Sequence, residues 1–275
     1  MKQTILVLIV SLVLAGVLQA QTQSQPHIYV AIGDSLAFGF QQDKFTNEIL
    51  TGTYDPGSFN TGYVDVLGNI LRGYVPNLET ANFSCPGETS VTLAIGGCPM
   101  HNTIFSLPLH QDYPAATPQL RAVVDYLQAH PNDVLLITLT IGANDILNLI
   151  SDCNKDATCV NAQINDLSQR VANVIKTEVV ILKTVAPTVQ VYWTTIPNPY
   201  RFTNPDLQDA FFTFNYQLKI SIVGAKPIDW FAVENSLDQA TFCTLTYVCT
   251  APTYDIHPTD FGYQFLGWWV ALNLQ

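Results

Sequence analysis

Apolar residues along this chain fall into short, separated runs rather than into one repeating pattern. Runs of strand length occur at residues 27–32, 78–83, 134–141, 189–195 and 226–230. The stretch 133–141 (Asp-Val-Leu-Leu-Ile-Thr-Leu-Thr-Ile) is apolar with little alternation, as in a strand covered on both faces. Between the runs lie segments of helical spacing at 62–74, 118–129, 160–185, 207–223 and 259–274. In the longest, Ile164, Leu167, Val171, Val174 and Ile175 form one apolar stripe suited to packing on a sheet. Gly73 with Pro76, then Pro131 and Pro187, mark helix ends. Strand and helix in alternation predict a parallel sheet with helices on both faces. No repeat, low-complexity tract or linker interrupts the pattern, so residues 27–275 read as one domain.

Two stretches depart from it. Met1-Lys2-Gln3 is a short basic start, followed by an apolar run from Thr4 to about Leu18 and then Gln19-Ala20. That is the pattern of a secretory signal over residues 1–20, with a polar spacer at 21–26. The run falls short of the ~20 apolar residues of a spanning helix, and no later stretch supplies them. A secreted protein, extracellular or periplasmic, without a stable membrane anchor is expected. The second departure is the irregular segment 96–117, whose length is typical of a functional wall or lid. Its Met100, Ile104, Phe105, Leu107, Leu109 and Tyr113 either line an acyl pocket or pack the loop onto the domain.

Net charge is −11, and no cluster of basic residues offers a footprint for nucleic acid or anionic lipid. Hydrophobic residues make up 48% of the chain, which excludes a disordered one. Six cysteines fall into three local pairs, Cys85/Cys98, Cys153/Cys159 and Cys243/Cys249. Export favours disulfides, and no pair has the tight spacing of a zinc knuckle. Local pairing into loop staples is the natural reading.

Chemistry concentrates at strand ends, where open parallel sheets bind ligands. Gly33-Asp34-Ser35-Leu36 follows the first strand and offers a serine whose N–H faces the same crevice. Serine needs an adjacent base to become a nucleophile, and His257 in Asp255-Ile256-His257-Pro258 is far downstream. Asn82-Phe83-Ser84-Cys85-Pro86-Gly87-Glu88-Thr89 follows the second strand, its glycine exposing an N–H. Gly142-Ala143-Asn144-Asp145 follows the third, and an Asn amide can donate to a developing oxyanion. Each block alone is weak evidence, since turns use these residues freely.

The four blocks together, in this order from Gly33 almost to the C-terminus, resemble the SGNH hydrolases, the GDSL-type esterases and lipases. The resemblance implies a three-layer α/β/α sandwich around a central, mainly five-stranded parallel sheet of flavodoxin-like type. It implies hydrolysis of small-molecule, lipid or acylated-sugar esters with no metal and no cofactor. Carried over, Ser35 is the nucleophile, His257 the base, and the Ser35 N–H, the Gly87 N–H and the Asn144 side chain form the oxyanion hole. The family usually has its acid three residues before the histidine, where this chain has Tyr254. Asp255, two before, or a backbone carbonyl such as that of Tyr254, then orients the ring; a carboxylate stabilises the imidazolium better. Asp34 and Asp145 read as loop holders, and Asp260 as support for the last helix.

His27, His101, His110 and His130 lack motif context, although His101 and His110 lie in the wall segment. Asn82-Phe83-Ser84 is a glycosylation sequon whose place in the glycine block favours a structural role. The expected activity is that of a serine carboxylesterase or lipase. A carbohydrate O-acetyl esterase with the same machinery and an inactive binding protein of the same fold are the alternatives.

Overall fold

The structure, a computed structural model, describes residues 26–101, 107–250 and 255–274. The expected signal over residues 1–20 and nearly all of the expected spacer, with Ile104, Phe105 and Tyr254, lie outside the described residues.

Five strands, β1 (Ile28–Gly33), β2 (Glu79–Asn82), β3 (Val134–Thr140), β4 (Gln190–Thr194) and β5 (Lys226–Ile228), form one sheet in the order β2-β1-β3-β4-β5. Every pairing is parallel. The strand order reverses direction at β1 and β3, which opens a crevice above their carboxyl ends. All six residues of β1 are buried, so alternate side chains feed two different cores. Ile28, Val30 and Ile32 join Ile137, Leu139, Val191 and Trp193 on one face. Tyr29 and Ala31 join Leu136, Tyr192 and Ile228 on the other. This period of two assigns residues to layers before any helix is docked.

Eleven α-helices are described. They are α1 (Ser35–Phe38), α2 (Gln42–Thr51), α3 (Tyr63–Arg72), α4 (Ser90–Ile95), α5 (Gln119–Ala129), α6 (Ala143–Asp152), α7 (Ala157–Val185), α8 (Gln208–Ser221), α9 (Trp230–Asn235), α10 (Gln239–Leu245) and α11 (Asp260–Leu272). Helices α5, α7 and α8 cover the first face through Val123, Ile164, Val171, Ile175, Phe211 and Phe214. Helices α3 and α11 cover the second through Tyr63, Val64, Leu67, Tyr263, Leu266 and Val270. The result is a three-layer α/β/α arrangement.

Several boundaries differ from the sequence pattern. β5 stops at Ile228 because Asp229 caps α9, its Oδ1 accepting from the Ala232 N–H at 3.1 Å. Helix α7 begins at Ala157, where the Asp156 carboxylate accepts the Cys159 N–H at 2.8 Å. Helices α2, α4, α6, α9 and α10 had no counterpart in the reading. They run to six to ten residues each, and three of them, α2, α6 and α10, crowd against turns or against the glycine and cysteine loops. Between α4 and α5 the described residues form no helix or strand. There Leu107, Leu109 and Tyr113 belong to the core, whereas Met100 lines a cavity beside Gly87. The segment therefore packs onto the domain at those three residues and lines that cavity at Met100.

Cys85–Cys98, Cys153–Cys159 and Cys243–Cys249 are disulfides, and all six cysteines are used. The first ties the glycine block to the irregular segment, and the third sits just before the histidine block.

Candidate active site

β1 ends at Gly33, whose φ is +147° and where a Cβ would lie 2.0 Å from the Thr140 carbonyl oxygen. Only glycine fits so close an approach between adjacent strand ends. Gln119 grips this glycine from both sides: its Oε1 accepts the Gly33 N–H at 2.7 Å and its Nε2 donates to the Gly33 carbonyl at 3.0 Å. The Asp34 N–H donates to the Thr140 carbonyl at 3.0 Å. The Asp34 carboxylate then caps α1, accepting the Leu36 N–H at 2.9 Å. Ser35 is thereby the first residue of a helix, half-exposed in the crevice, and its own N–H meets no protein acceptor among the described residues.

His257 reaches Ser35 from the other end of the chain. Its Nε2 lies 2.9 Å from Ser35 Oγ, and its Nδ1 lies 2.6 Å from Asp255 Oδ1. A carboxylate at Nδ1 selects the tautomer whose Nε2 accepts the serine proton. Asp255 is 5% exposed and receives three N–H groups. Oδ1 takes the His257 backbone N–H at 3.0 Å as well as Nδ1, and Oδ2 takes the Gln42 N–H at 2.8 Å. The last is an otherwise orphaned donor at the start of α2, where the helix dipole favours an anion. Burial opposes ionisation of Asp255, but the hydrogen bond and charge of His257, with the Gln42 and His257 N–H groups, outweigh it. Its carboxyl is held below the ordinary range.

The segment carrying His257 is pinned independently. The Tyr247 N–H donates to the His257 carbonyl at 3.0 Å, and Gln41 Nε2 donates to the Pro258 carbonyl at 3.0 Å. The Phe40 ring packs on the imidazole with centroids 5.0 Å apart.

Gly87 has φ +86°, and its N–H has no protein acceptor among the described residues. Asn144 stands in the first turn of α6, after Gly142 at φ +114°. Its Nδ2 donates to the Glu88 carbonyl at 2.8 Å. An amide nitrogen carries two hydrogens, so this bond aims the group and leaves one hydrogen for a ligand. The Asp145 carboxylate accepts the Ser90 N–H at 2.9 Å and the Ser90 hydroxyl at 2.8 Å. That link ties the start of α4, just after the glycine block, to α6, and Ser35, Gly87 and Asn144 line one cavity.

Two acids behind this group are charge-sensitive. Burial pushes the Asp34 carboxyl up to about 7, against the Leu36 hydrogen bond and with the Asp145 charge. Burial also pushes Glu88 up to about 8, against the Thr92 hydrogen bond and with the Asp34 charge.

A cavity of about 380 Å³ opens over Ser35. Its wall is mainly apolar, with Phe40, Phe45, Met100, Leu147, Ile196 and Phe211 around Gly87, Asn144 and His257. Among the described residues no cluster of His, Cys, Asp or Glu is arranged to hold a metal ion.

The remaining histidines sit elsewhere. His101 Nδ1 faces the Leu107 carbonyl at 2.8 Å, His110 Nε2 the Phe38 carbonyl at 2.9 Å, and His130 Nδ1 the Tyr126 carbonyl at 2.9 Å. The sequon Asn82 is buried, and its Nδ2 donates to the Ala37 carbonyl at 2.9 Å. Gln119 and Glu88 were not singled out from the sequence. Nothing local marks them, because their roles depend on partners in other blocks.

The family model described as GDSL-like Lipase/Acylhydrolase matches residues 29–224, a span that contains Ser35, Gly87 and Asn144 and stops before His257. Solved structures share the fold at low identity. A lipase from a goat rumen metagenome is 18% identical, with 89% of this chain and 96% of that one covered and a TM-score of 0.52. A phospholipase A1 from Streptomyces albidoflavus is 16% identical, with 90% and 98% covered and a TM-score of 0.57. Axe2, an acetylxylan esterase from Geobacillus stearothermophilus, is 15% identical, with 93% and 98% covered and a TM-score of 0.51. No curated protein sequence gives a significant match.

Proposed function

The chain belongs to the GDSL-like lipase/acylhydrolase family, and from that premise we propose that it is a serine esterase working through an acyl-enzyme on Ser35. The observation that carries this reading is the unbroken chain from Ser35 Oγ to His257 Nε2 at 2.9 Å and from Nδ1 to Asp255 at 2.6 Å, beside a cavity that Gly87 and Asn144 also line. In the reaction, Ser35 Oγ attacks the ester carbonyl while His257 Nε2 takes its proton. The tetrahedral oxyanion is held by the Ser35 N–H, the Gly87 N–H and the free hydrogen of Asn144. Asp255 steadies the imidazolium, which then protonates the leaving alcohol. Water enters, His257 removes its proton, and the acyl group leaves Ser35 as the acid.

The cavity supports an acyl chain longer than acetyl, since an apolar wall around about 380 Å³ stabilises buried methylenes by about 0.8 kcal/mol each. This favours a carboxylesterase or lipase over a carbohydrate O-acetyl esterase. We also read residues 27–275 as one domain of an exported protein. Three disulfides support the oxidising compartment, and among the described residues no helix is long and apolar enough to cross a membrane.

Two measurements test the reading. Ser35→Ala is expected to abolish hydrolysis of short p-nitrophenyl esters with an unchanged circular dichroism spectrum, and a fluorophosphonate is expected to label the wild-type serine only. Substantial turnover by the alanine variant would end the Ser35 assignment.

A further inference from the structure

A second cleft, of about 340 Å³, adjoins the acyl cavity and shares Pro199 and Ile256 with it. Its chemistry is different: Lys155, Tyr200, Thr203 and Asn204 supply polar groups where the acyl cavity is mostly apolar. Pro199 and Ile256 line both, and Ile256 is the neighbour of His257, the base that protonates the leaving alcohol in the proposed reaction.

Lys155 is held there by unusual means. Asn154 and Lys155 take consecutive left-handed conformations, φ 52° and 62°. Asparagine tolerates that region; lysine pays strain for it. The turn persists because the Lys155 N–H donates to the Ile150 carbonyl at 2.8 Å and Asn204 Nδ2 donates to the Lys155 carbonyl at 3.1 Å. The Cys153–Cys159 disulfide closes the same loop. Lys155 Nζ sits over the Tyr200 ring, 5.8 Å from its centroid, and pairs with no carboxylate among the described residues. Asp255, which also lines the cleft, brings a negative charge of its own, but both its oxygens are engaged by N–H groups, and Lys155 is the cation in the cleft's lining.

We propose that this cleft is the alcohol-side subsite and takes an anionic group, phosphoryl or carboxylate, carried on the leaving alcohol. The proposal rests on the esterase reading for its place in the reaction, while binding of the anion does not. In a chain of net charge −11, such a substrate needs a local cation, and strain at a non-glycine residue is retained where it serves a ligand.

The test compares the butyryl esters of glycerol and of glycerol 3-phosphate. In the wild type the phosphate ester is expected to have kcat/KM about fivefold higher, carried by KM, as for one partly exposed charge pair. Added salt should erase the advantage. Lys155→Gly relieves the left-handed strain, so its Tm should not fall while the ratio drops to about one; Lys155→Glu should bring it below one. Separately, glycerol 3-phosphate titrated into Ser35→Ala and followed by NMR should saturate, and should not do so in Ser35→Ala combined with Lys155→Glu. An equal ratio in all three enzymes, or no saturable binding to Ser35→Ala, would overturn the subsite. Failure to hydrolyse either ester, with Lys155-dependent binding intact, would overturn the esterase reading and leave the subsite standing.

Discussion

Replacing Asp255 by asparagine isolates the least family-like part of the site. The side chain keeps its shape but exchanges one acceptor for a donor. Asp255 now faces donors on both oxygens: His257 Nδ1 at 2.6 Å and His257 N at 3.0 Å on one, Gln42 N at 2.8 Å on the other. An amide cannot satisfy both sides. If its oxygen faces His257, its NH₂ opposes the Gln42 N–H at the start of α2. If it turns over, the NH₂ faces Nδ1 and selects the tautomer whose Nε2 carries a proton and cannot accept one from Ser35. In either orientation the negative charge beside the imidazolium is gone. One donor facing a donor in a buried place costs about 1–3 kcal/mol of stability, or a Tm lower by about 2–6 °C at this chain length. Turnover should fall by about two to four orders of magnitude, mainly in kcat, because Asp255 does not line the acyl cavity. The assay is kcat and KM on p-nitrophenyl butyrate beside a thermal melt of the same preparation. Turnover within about threefold of wild type would refute the reasoning and return the orienting role to a backbone carbonyl.

Three further outcomes are expected. Asn144→Ala should lower kcat by about 10²–10³ with little change in KM; a loss below fivefold would mean that the amide hydrogen left over from the Glu88 carbonyl does not meet the oxyanion. Gly33→Ala puts a Cβ 2.0 Å from the Thr140 carbonyl at φ +147°, and should cost at least about 3 kcal/mol in a urea melt; a normal midpoint would show that the strand ends part easily. Stability should fall as pH rises, since Asp34 moves from 3.8 to about 7 and Glu88 from 4.5 to about 8. A carboxyl that binds its proton more tightly folded than unfolded loses stability between those values, here between about pH 4 and 8. Tm should therefore be higher at pH 5 than at pH 8, with Glu88→Gln flattening the slope; a Tm that rises toward pH 8 would contradict the burial of these acids. The lowered carboxyls of Asp255 and Asp260 act in the opposite sense, and only in more acid solution.

Element type was legible wherever a run was long and regular. The apolar stripe of α7 and the nearly continuous burial of β3 show in the spacing of Ile164, Val171 and Ile175 and in residues 134–140. Short helices such as α4, six residues long and with only Ser90 and Leu93 buried, were not, because so few turns carry little periodicity. The side-chain types at the strand ends were equally legible. Ser35, Gly87, Asn144 and His257 each stand in a block recognisable over four to eight residues.

Joining those blocks is another matter. By itself the sequence determined a parallel α/β architecture and the residue types in the crevice, and it favoured the local cysteine pairs, since each rests on residues within one short stretch of chain. Only the tertiary structure decided that Asp255 reaches His257 despite its spacing, through a turn in which one carboxylate oxygen holds both the ring and the backbone of the residue two ahead. Only it brought Gln119 onto Gly33, Asp145 onto Ser90 and Lys155 over Tyr200. Those contacts span 86, 55 and 45 residues of chain, and what closes them is the docking of whole layers. No periodicity along the chain records that.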